Sequence, residues 1–290
     1  MKAIAGITAS VLLAIACTNN ANAQNVLMNC RDSPQQNPAK VFRSGLWKQW
    51  IYWITPGPSA FLAVQRVVAE VNAARVIAGL PILLPDPAYP LIVSVFDESN
   101  PRGANGSSAI DNIPVNAEVF LATFVDDSIG GSEVLFLTDP IRSNSAVTAK
   151  LVPGVAGNFE RSTESSLKSD GTKVSTEWEI TTAMHDEIKF SASYPGTAIY
   201  FRSVSPPSRI AFANCNLTAY STLIYRSSPT ASYTLFDRSQ GNFIDPTIKD
   251  TKIKVHIRHH DPDINAMFND PRNAPDTLIE ADRVVRIELK

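Results

Sequence analysis

The sequence has few cysteines and almost no net charge, and each of these features excludes some classes of protein. It has 3 Cys in 290 residues, too few for a disulfide-stapled scaffold. Its 26 Lys and Arg against 28 Asp and Glu give a formal net charge of −2, which does not favour a long basic nucleic-acid face. With 44% hydrophobic residues, a disordered or collagen-like chain is also excluded. We therefore expect a globular protein that does not bind nucleic acid.

Familiar catalytic and cofactor motifs are missing as well. The sequence has no Gly-x-Ser-x-Gly elbow, no phosphate-binding glycine loop, no His-Glu-x-x-His and no Ser-x-x-Lys with its companion motifs. We therefore predict no cofactor. Whether the protein is an enzyme, and its oligomeric state, stay open at this point.

The first 23 residues have the order of features found in a secretory signal peptide. Lys2 gives a positive start, residues 4–16 are an apolar run too short to span a bilayer, and Ala21-Asn22-Ala23 fits a small-x-small cleavage site. We predict that residues 1–23 are removed and that the protein is exported, to the periplasm or the medium. A buried N-terminal helix is the alternative interpretation.

The cysteines are interpreted in the light of this export. Cys17 follows Ala14-Ile15-Ala16, which resembles a bacterial lipoprotein site, so lipidation of Cys17 and an envelope anchor are the alternative to its removal. Cys30 and Cys215 stay in the mature chain, and two cysteines in an oxidising compartment usually pair. We predict a Cys30–Cys215 disulfide. No later apolar run approaches the length of about 20 residues that a spanning helix needs, so no transmembrane segment is expected in the mature chain.

The remaining pattern predicts a mainly β, α+β fold, namely an antiparallel barrel or sandwich with one N-terminal amphipathic helix. Apolar residues recur at helical spacing over 60–78, with Ser59 as the expected N-cap. Short alternating strands with turn signals follow from residue 91 onward. We predict an N-terminal helical segment of 24–84 that packs on a β-rich domain of 85–290 as a single globular unit.

Three of the four tryptophans lie close together in the N-terminal segment. Trp47, Trp50 and Trp53 recur every three residues, which favours a helical stripe. We interpret this segment as an element of the core, because aromatic side chains contribute much of the buried area of a protein. A ligand platform or a membrane-interface contact is the alternative.

The densest cluster of ionisable residues begins at the end of a predicted strand over 251–259. Imidazoles and carboxylates are common metal ligands. On a continuous strand, however, His256 and His260 would lie about 13 Å apart and His259 would face the other side. A shared metal would require the strand to end near Arg258, or ligands from elsewhere such as His185, so we predict no metal. The cluster is instead assigned catalytic roles for His256 and His260 and binding roles for His259, Asp261 and Asp263. An irregular calcium loop at 261–265 is an alternative to simple turns there.

One face of the same strand carries a row of cations. Lys252, Lys254, His256 and Arg258 alternate with apolar residues. If this face lined a barrel cavity, it would suit a carboxylate or phosphate group. If it faced water, it would be the ordinary polar side of an antiparallel sheet. We predict that Lys252, Lys254 and Arg258 bind the ligand.

Part of the sequence resembles the acetoacetate decarboxylase superfamily. The likeness lies in the rhythm of residues 79–90, of the strand at 91–96 and of residues 117–122, and it extends over residues 79–260. It implies a β-rich, cone-like barrel around a small-ligand cavity, with a buried lysine that forms a Schiff base with a keto-acid. The family's Pro-Lys-Lys-type segment is replaced here by residues 146–153, in which Lys150 is the only lysine. We take Lys150 as the candidate catalytic lysine, and a surface lysine as the alternative.

Together these observations predict an exported β protein that acts on a small molecule. The expected ligand is a small carboxylate or carbonyl compound, with a lyase- or decarboxylase-like reaction as the activity. A non-catalytic structural or interaction protein of the cell envelope is the alternative function.

Overall fold

The computed structural model describes residues 41–102, 115–143, 154–168, 171–195, 199–204, 209–211, 218–226 and 228–289. These ranges contain fifteen strands and two helices, which confirms the mainly β fold class. The helices are α1 (Pro58–Ile77) and α2 (Pro262–Phe268). The strands are β1 (Val41–Thr55), β2 (Leu83–Leu84), β3 (Leu91–Arg102), β4 (Val115–Asp127), β5 (Ser132–Phe136), β6 (Ile141–Arg142), β7 (Val155–Lys168), β8 (Gly171–Thr182), β9 (Glu187–Pro195), β10 (Ile199–Val204), β11 (Arg209–Ala211), β12 (Thr218–Tyr225), β13 (Ser228–Ile244), β14 (Lys252–Arg258) and β15 (Ala274–Leu289).

The strands form one mixed sheet whose pairs are mostly antiparallel. Its order is β11-β12-β13-β15-β1-β3-β4-β6-β7-β8-β9-β14, so the sheet as a whole is not closed and ends at β11 and β14. Strand β5 pairs with both β4 and β12. Seven strands therefore form a closed ring inside the larger open sheet. In order of pairing they are β4, β5, β12, β13, β15, β1 and β3, and β3 pairs again with β4.

The tryptophan-rich segment is a strand, and the predicted helical stripe is wrong. Residues 41–55 form β1, which pairs along its length with β15 on one side and β3 on the other. Trp50 is buried on the face that packs on α1, whereas Trp47 lies on the opposite face and stacks on Phe96 at 4.2 Å between ring centroids. Both faces of β1 are covered, so the segment lacks the apolar–polar alternation by which a half-buried strand is recognised.

Helix α1 confirms the predicted helix at 60–78, shifted by one or two residues. Its buried side chains Val64, Val67, Val68 and Val71 join the main hydrophobic core. Ser59 is not the N-cap, because Pro58 occupies the first turn and Gly57 precedes it. The backbone N–H groups of Ser59 and Ala60 instead donate to Asp270 Oδ2 at 3.0 and 3.1 Å. This helix is capped from a distant part of the chain.

The predicted alternating strands of the middle of the chain are confirmed. In β8 and β9 the residues Trp178, Ile180, Ile188, Phe190 and Tyr194 are buried, while Glu177, Glu179 and Lys189 are exposed. In the turn between β4 and β5, Gly130 has a φ of 86°, a conformation that glycine adopts without strain. Period-two alternation therefore located these strands correctly.

Several predictions fall on residues outside the described ranges. These are the signal peptide at 1–23, the lipidation of Cys17, the Cys30–Cys215 disulfide and the role of Lys150. All four stay predictions. Within the described ranges, no helix is long and apolar enough to cross a membrane.

Candidate functional site

A cavity of about 340 Å³ lies where α1, the β8–β9 turn and the end of β14 come together. Its wall includes Glu70 of α1, Asp186 of the turn, His259, His260 and Asp261 after β14, and Arg226 after β12. Residues from four separate parts of the chain therefore place imidazole, guanidinium and carboxylate groups around one small space.

Strand β14 ends at Arg258, and a tight turn then brings the two following histidines together. The side chain of Asn265 holds this turn, because its Oδ1 accepts the backbone N–H of His259 at 2.9 Å and its amide donates to the His259 carbonyl. Asp261 caps α2 by accepting the backbone N–H of Asp263 at 2.8 Å. The imidazole rings of His259 and His260 stack at 4.2 Å between centroids. Because the strand ends at Arg258, His259 and His260 do not face opposite sides as they would on a continued strand, whereas His256 stays on β14 outside the cluster.

The buried carboxylate of Asp186 connects the β8–β9 turn to both histidines. Its Oδ1 accepts the backbone N–H of His260 at 2.7 Å and lies 2.8 Å from His260 Nδ1. Its Oδ2 accepts the Thr182 hydroxyl at 3.1 Å and lies 3.8 Å from His259 Nε2. Ligand atoms of these three residues lie within 4.8 Å of one another, a spacing that a metal ion would accept. The sequence did not identify Asp186.

Burial and hydrogen bonding set the charges in this cluster. Burial alone would raise the pKa of Asp186, but hydrogen bonds from His260 and Thr182 and the nearby His259 ring outweigh it, so its pKa lies below the usual range. Burial lowers the pKa of His259, which favours its neutral form. The cluster is therefore a carboxylate next to a neutral imidazole, with the half-exposed ring of His260 beside them.

Arg226 forms the other wall of the cavity. Its Nη1 donates to Asp261 Oδ2 at 2.5 Å and its Nη2 donates to Glu70 Oε2 at 2.8 Å. Burial works to raise the pKa of Asp261, but the Asp263 N–H and the Arg226 guanidinium together hold it below its ordinary value. Asp263, predicted to bind ligand, pairs instead with Arg66 of α1 at 2.5 Å, outside the cavity lining.

The row of cations on β14 points toward solvent. Lys252, Lys254, His256 and Arg258 are exposed, and Arg258 lies 3.4 Å from Glu187 of the neighbouring strand. None of them lines the cavity described above or a second, shallower one of about 410 Å³ formed by Ser143, residues 156–158 and residues 181–183. The ligand-binding interpretation of this row required its face to line a cavity. In the described part of the chain it lines neither of the two cavities. A ligand role for Lys252, Lys254, His256 and Arg258 stays a prediction.

A second polar group lies buried on the face of the sheet opposite to α1. Arg142 donates to Glu118 at 3.0 Å, and both side chains are almost wholly inaccessible. Glu98 accepts the Trp47 indole N–H at 3.1 Å and the Asn116 amide at 3.4 Å. The signal in the sequence was a glutamate inside an apolar strand, which indicates a buried partner.

Comparison with known proteins gives a likeness of fold. No family model matches the sequence, and no curated protein matches it significantly. Solved structures of the enduracididine biosynthesis enzyme MppR are similar: its complex with HEPES has a TM-score of 0.48 and 10% identity over 88% of each chain. An acetoacetate decarboxylase-like enzyme from Sphingomonas wittichii RW1 has a TM-score of 0.45 and 10% identity over 87% of this chain and 92% of its own.

This chain has a weak fold-level resemblance to acetoacetate decarboxylase-like enzymes. The resemblance stated from the sequence is therefore found again in three dimensions. At this level of identity it concerns the fold alone, and the site must be interpreted from its own geometry.

Proposed function

We propose that the protein binds a small carbonyl compound in the cavity bordered by Asp186, His259, His260 and Arg226. The observation that carries the proposal is the convergence of two imidazoles, one guanidinium and one buried carboxylate on a space of about 340 Å³. That volume is at the lower end of ligand pockets, which suits a molecule of a few heavy atoms. The guanidinium N–H groups of Arg226 are suitable donors to a carbonyl oxygen.

The charges around the cavity favour a neutral ligand over a carboxylate. Four carboxyl groups, those of Glu70, Asp139, Asp186 and Asp261, face one guanidinium, and Arg226 already pairs with two of them. A further negative charge would be repelled at short range. Of the two ligand classes expected from the sequence, ketones and aldehydes therefore fit better than keto-acids.

The binding test compares 2-butanone, butanal and pyruvate by ligand-observed NMR. The two neutral compounds are expected to bind more tightly than pyruvate. Met184→Trp should abolish binding, because Met184 lines the cavity and a larger side chain would fill it. Ile248→Trp, at another exposed apolar position, is the matched control and should bind as the wild type does. The proposal fails if none of the compounds binds at millimolar concentration, or if binding survives in a folded Met184→Trp variant.

A lyase-type reaction through Lys150 is the catalytic form of this proposal. A lysine flanked by apolar residues would be desolvated and nucleophilic enough to form a Schiff base with the carbonyl carbon. Borohydride reduction in the presence of 2-butanone or pyruvate should then add the mass of the ligand less one oxygen atom to the peptide that contains Lys150, because water leaves when the Schiff base forms and reduction adds two hydrogens. Absence of this adduct in the wild type would eliminate the Schiff-base mechanism and leave ligand binding untouched.

Export and the disulfide are proposed together, because each supports the other. Mass spectrometry of the exported protein should show a chain beginning at Gln24, with a Cys30–Cys215 link that disappears on reduction. A lipid-modified chain beginning at Cys17 would instead establish the anchored alternative. Full-length, unprocessed protein in the cytoplasm would overturn both.

A further inference from the structure

The cluster of Asp186, His259 and His260 satisfies the distances of a metal site, but its hydrogen bonds decide against one. The backbone N–H of Asp261 donates to His259 Nδ1 at 3.0 Å, so this nitrogen carries a lone pair and no proton. A neutral His259 ring must then hold its proton on Nε2, the atom 3.8 Å from Asp186 Oδ2. A metal would need the lone pair of that same Nε2, with a proton on Nδ1 that would meet the Asp261 N–H.

His260 has the opposite arrangement. Its Nδ1 lies 2.8 Å from Asp186 Oδ1, and an ionised carboxylate has only acceptors, so Nδ1 carries the proton. The Nε2 atom of His260 is then left with a lone pair. The ring is half exposed and lines the cavity, whereas the Asp186 side chain behind it is buried. Asp186 thus accepts both N–H groups of His260 on one oxygen and the Thr182 hydroxyl on the other, and it holds the His260 ring in one tautomer.

We infer that Asp186 and His260 form an acid–base pair in which His260 Nε2 is the base presented to the cavity, and that this cluster does not bind a metal. Asp186 is the positioning residue, because it fixes the tautomer and stabilises the imidazolium that forms when Nε2 takes up a proton. The reaction class assigned to the pair, which rests on the proposed function, is removal of a proton from the carbon next to a carbonyl group.

The step balances without any further reactant. The proton moves from the carbon to His260 Nε2, the C–H electron pair forms a carbon–carbon double bond, and the carbonyl π electrons move to oxygen as an enolate. The imidazolium formed in the same step balances the charge of the enolate, and Arg226, which lines the same cavity, is the hydrogen-bond donor assigned to its oxygen. Return of a proton from the imidazolium, or of a deuteron after exchange with D₂O, regenerates the carbonyl compound and the neutral base.

The first test needs no ligand. Long-range ¹H–¹⁵N NMR of the full-length wild-type protein should show His260 protonated on Nδ1 and His259 protonated on Nε2. In Asp186→Ala the acceptor of the Nδ1 proton is removed, so the Nε2-protonated form of His260 should gain population. A His260 that carries its proton on Nε2 in the wild type overturns the inference. So does a stoichiometric transition metal bound by these residues in protein purified without chelators. Either result leaves the proposed ligand binding intact.

The second test measures exchange of the α-protons of 2-butanone in D₂O. Wild-type protein should accelerate the exchange, and His260→Gln should lower the enzymatic rate by about 100-fold or more. Asp186→Ala should lower it together with the change of tautomer. His185→Asn is the matched control: it is an exposed histidine in the same turn with a φ of 63°, which asparagine tolerates, and it should exchange as the wild type does. Equal rates in wild type and in a folded His260→Gln variant that still binds 2-butanone would overturn the base assignment, whereas failure to bind 2-butanone at all would count against the proposed function.

Discussion

Arg142 and Glu118 are the most deeply buried ion pair among the described residues, with side chains 1% and 4% exposed. Removing two charges from water costs several kcal/mol each, and only close contact and further hydrogen bonds offset this cost. The packing is tight, because a Cβ at Gly154 would overlap the Arg142 guanidinium. A substitution at Arg142 therefore removes a positive charge that lies 3.0 Å from the buried Glu118 carboxylate.

We expect Arg142→Met to lower the free energy of unfolding by about 3–5 kcal/mol, because Glu118 would stay buried without its counter-charge. Urea denaturation followed by circular dichroism measures the change. Lys189→Met is the control: Lys189 bridges Glu179 and Glu187 with a side chain that is 48% exposed, so water screens these pairs and the free energy of unfolding should change far less. Similar losses in the two variants would contradict the prediction.

The sequence predicted some of these residues and could not predict others. His259, His260 and Asp261 were selected because they are dense in one segment. Asp186 was missed because it lies 74 residues before His260, and only the meeting of the β8–β9 turn with the end of β14 connects them. The tautomer of His259 depends on the backbone N–H of Asp261, and that of His260 depends on Asp186. Neither contact can be recognised in a residue pattern.

Helix α1 depends on a cap that comes from beyond α2. Asp270 accepts two N–H groups of the first turn of α1 and is itself held by the backbone N–H and side chain of Arg272. Asn273 accepts the N–H of Gly57 at 2.8 Å in the same region. The start of α1 is thereby tied to the segment that leads into β15. The two contacts from Arg272 come first among the causes that lower the pKa of Asp270 to about 2.

The stability of the protein should therefore fall as the pH is lowered through this range. A carboxylate with a depressed pKa stabilises the folded state fully above its ordinary pKa of 3.8, and this contribution is lost as the pH falls toward 2. Asp270→Asn should lower the melting temperature at pH 6 and flatten its decline between pH 4 and pH 2. Thermal unfolding at several pH values measures both effects. Asp276→Asn, which changes an exposed carboxylate, is the control and should show the same decline of melting temperature between pH 4 and pH 2 as the wild type. If Asp270→Asn also declined as steeply as the wild type, the role of Asp270 as a cap would be refuted.

The exposed cations of β14 have a simpler explanation as protection of a sheet edge. Strand β14 ends the strand order and pairs only with β9 among the described strands, so no described strand covers its outer edge, although the Ile257 carbonyl accepts the Asn269 amide. Charged side chains, lysine above all, discourage another chain from pairing there. Alternation in the sequence identified the strand and its polar face correctly, but whether that face bordered a cavity depended on the position of β14 in the sheet.

The double substitution Lys252→Thr and Lys254→Thr should increase aggregation while leaving monomer stability nearly unchanged. Threonine keeps the preference for a strand and removes both charges. Light scattering as a function of protein concentration measures the aggregation, and urea denaturation measures the stability. Glu177→Thr and Glu179→Thr on the interior strand β8 serve as the control. An unaltered aggregation threshold in the β14 variant would argue for a different role of these lysines, including the predicted ligand contact.

At the scale of the whole molecule, β15 holds the ring of strands together. It lies between β13 and β1 and pairs with both over most of its 16 residues. A chain that ends at Asn273 would expose one long edge on β1 and another on β13. We expect such a chain to lose cooperative thermal unfolding and to bind a hydrophobic dye. Cooperative unfolding of the shortened chain would show that the ring does not need β15.

The mainly β class followed from period-two alternation, which is a local property of the chain. The ring and the order of its strands could not be predicted in this way, because they rest on long-range pairs such as Thr222 with Glu133 and Val41 with Glu288. The wrong assignment of the tryptophan segment has the same origin, since β1 owes its two-sided burial to partners far away in the chain.

The position of β1 between β3 and β15 also sets an order of events in time. A ribosome makes β1 before every other described strand and β15 after all of them, yet the two lie side by side in the sheet. During synthesis β1 can pair with β3, while its other edge waits for residues 274–289 to be made. Pairs between such distant segments form slowly, and open edges are exposed until they do. The native sheet therefore forms only after β15 has been synthesised. Until then the incomplete chain exposes an unpaired edge of β1 and is more prone to aggregate than the finished protein.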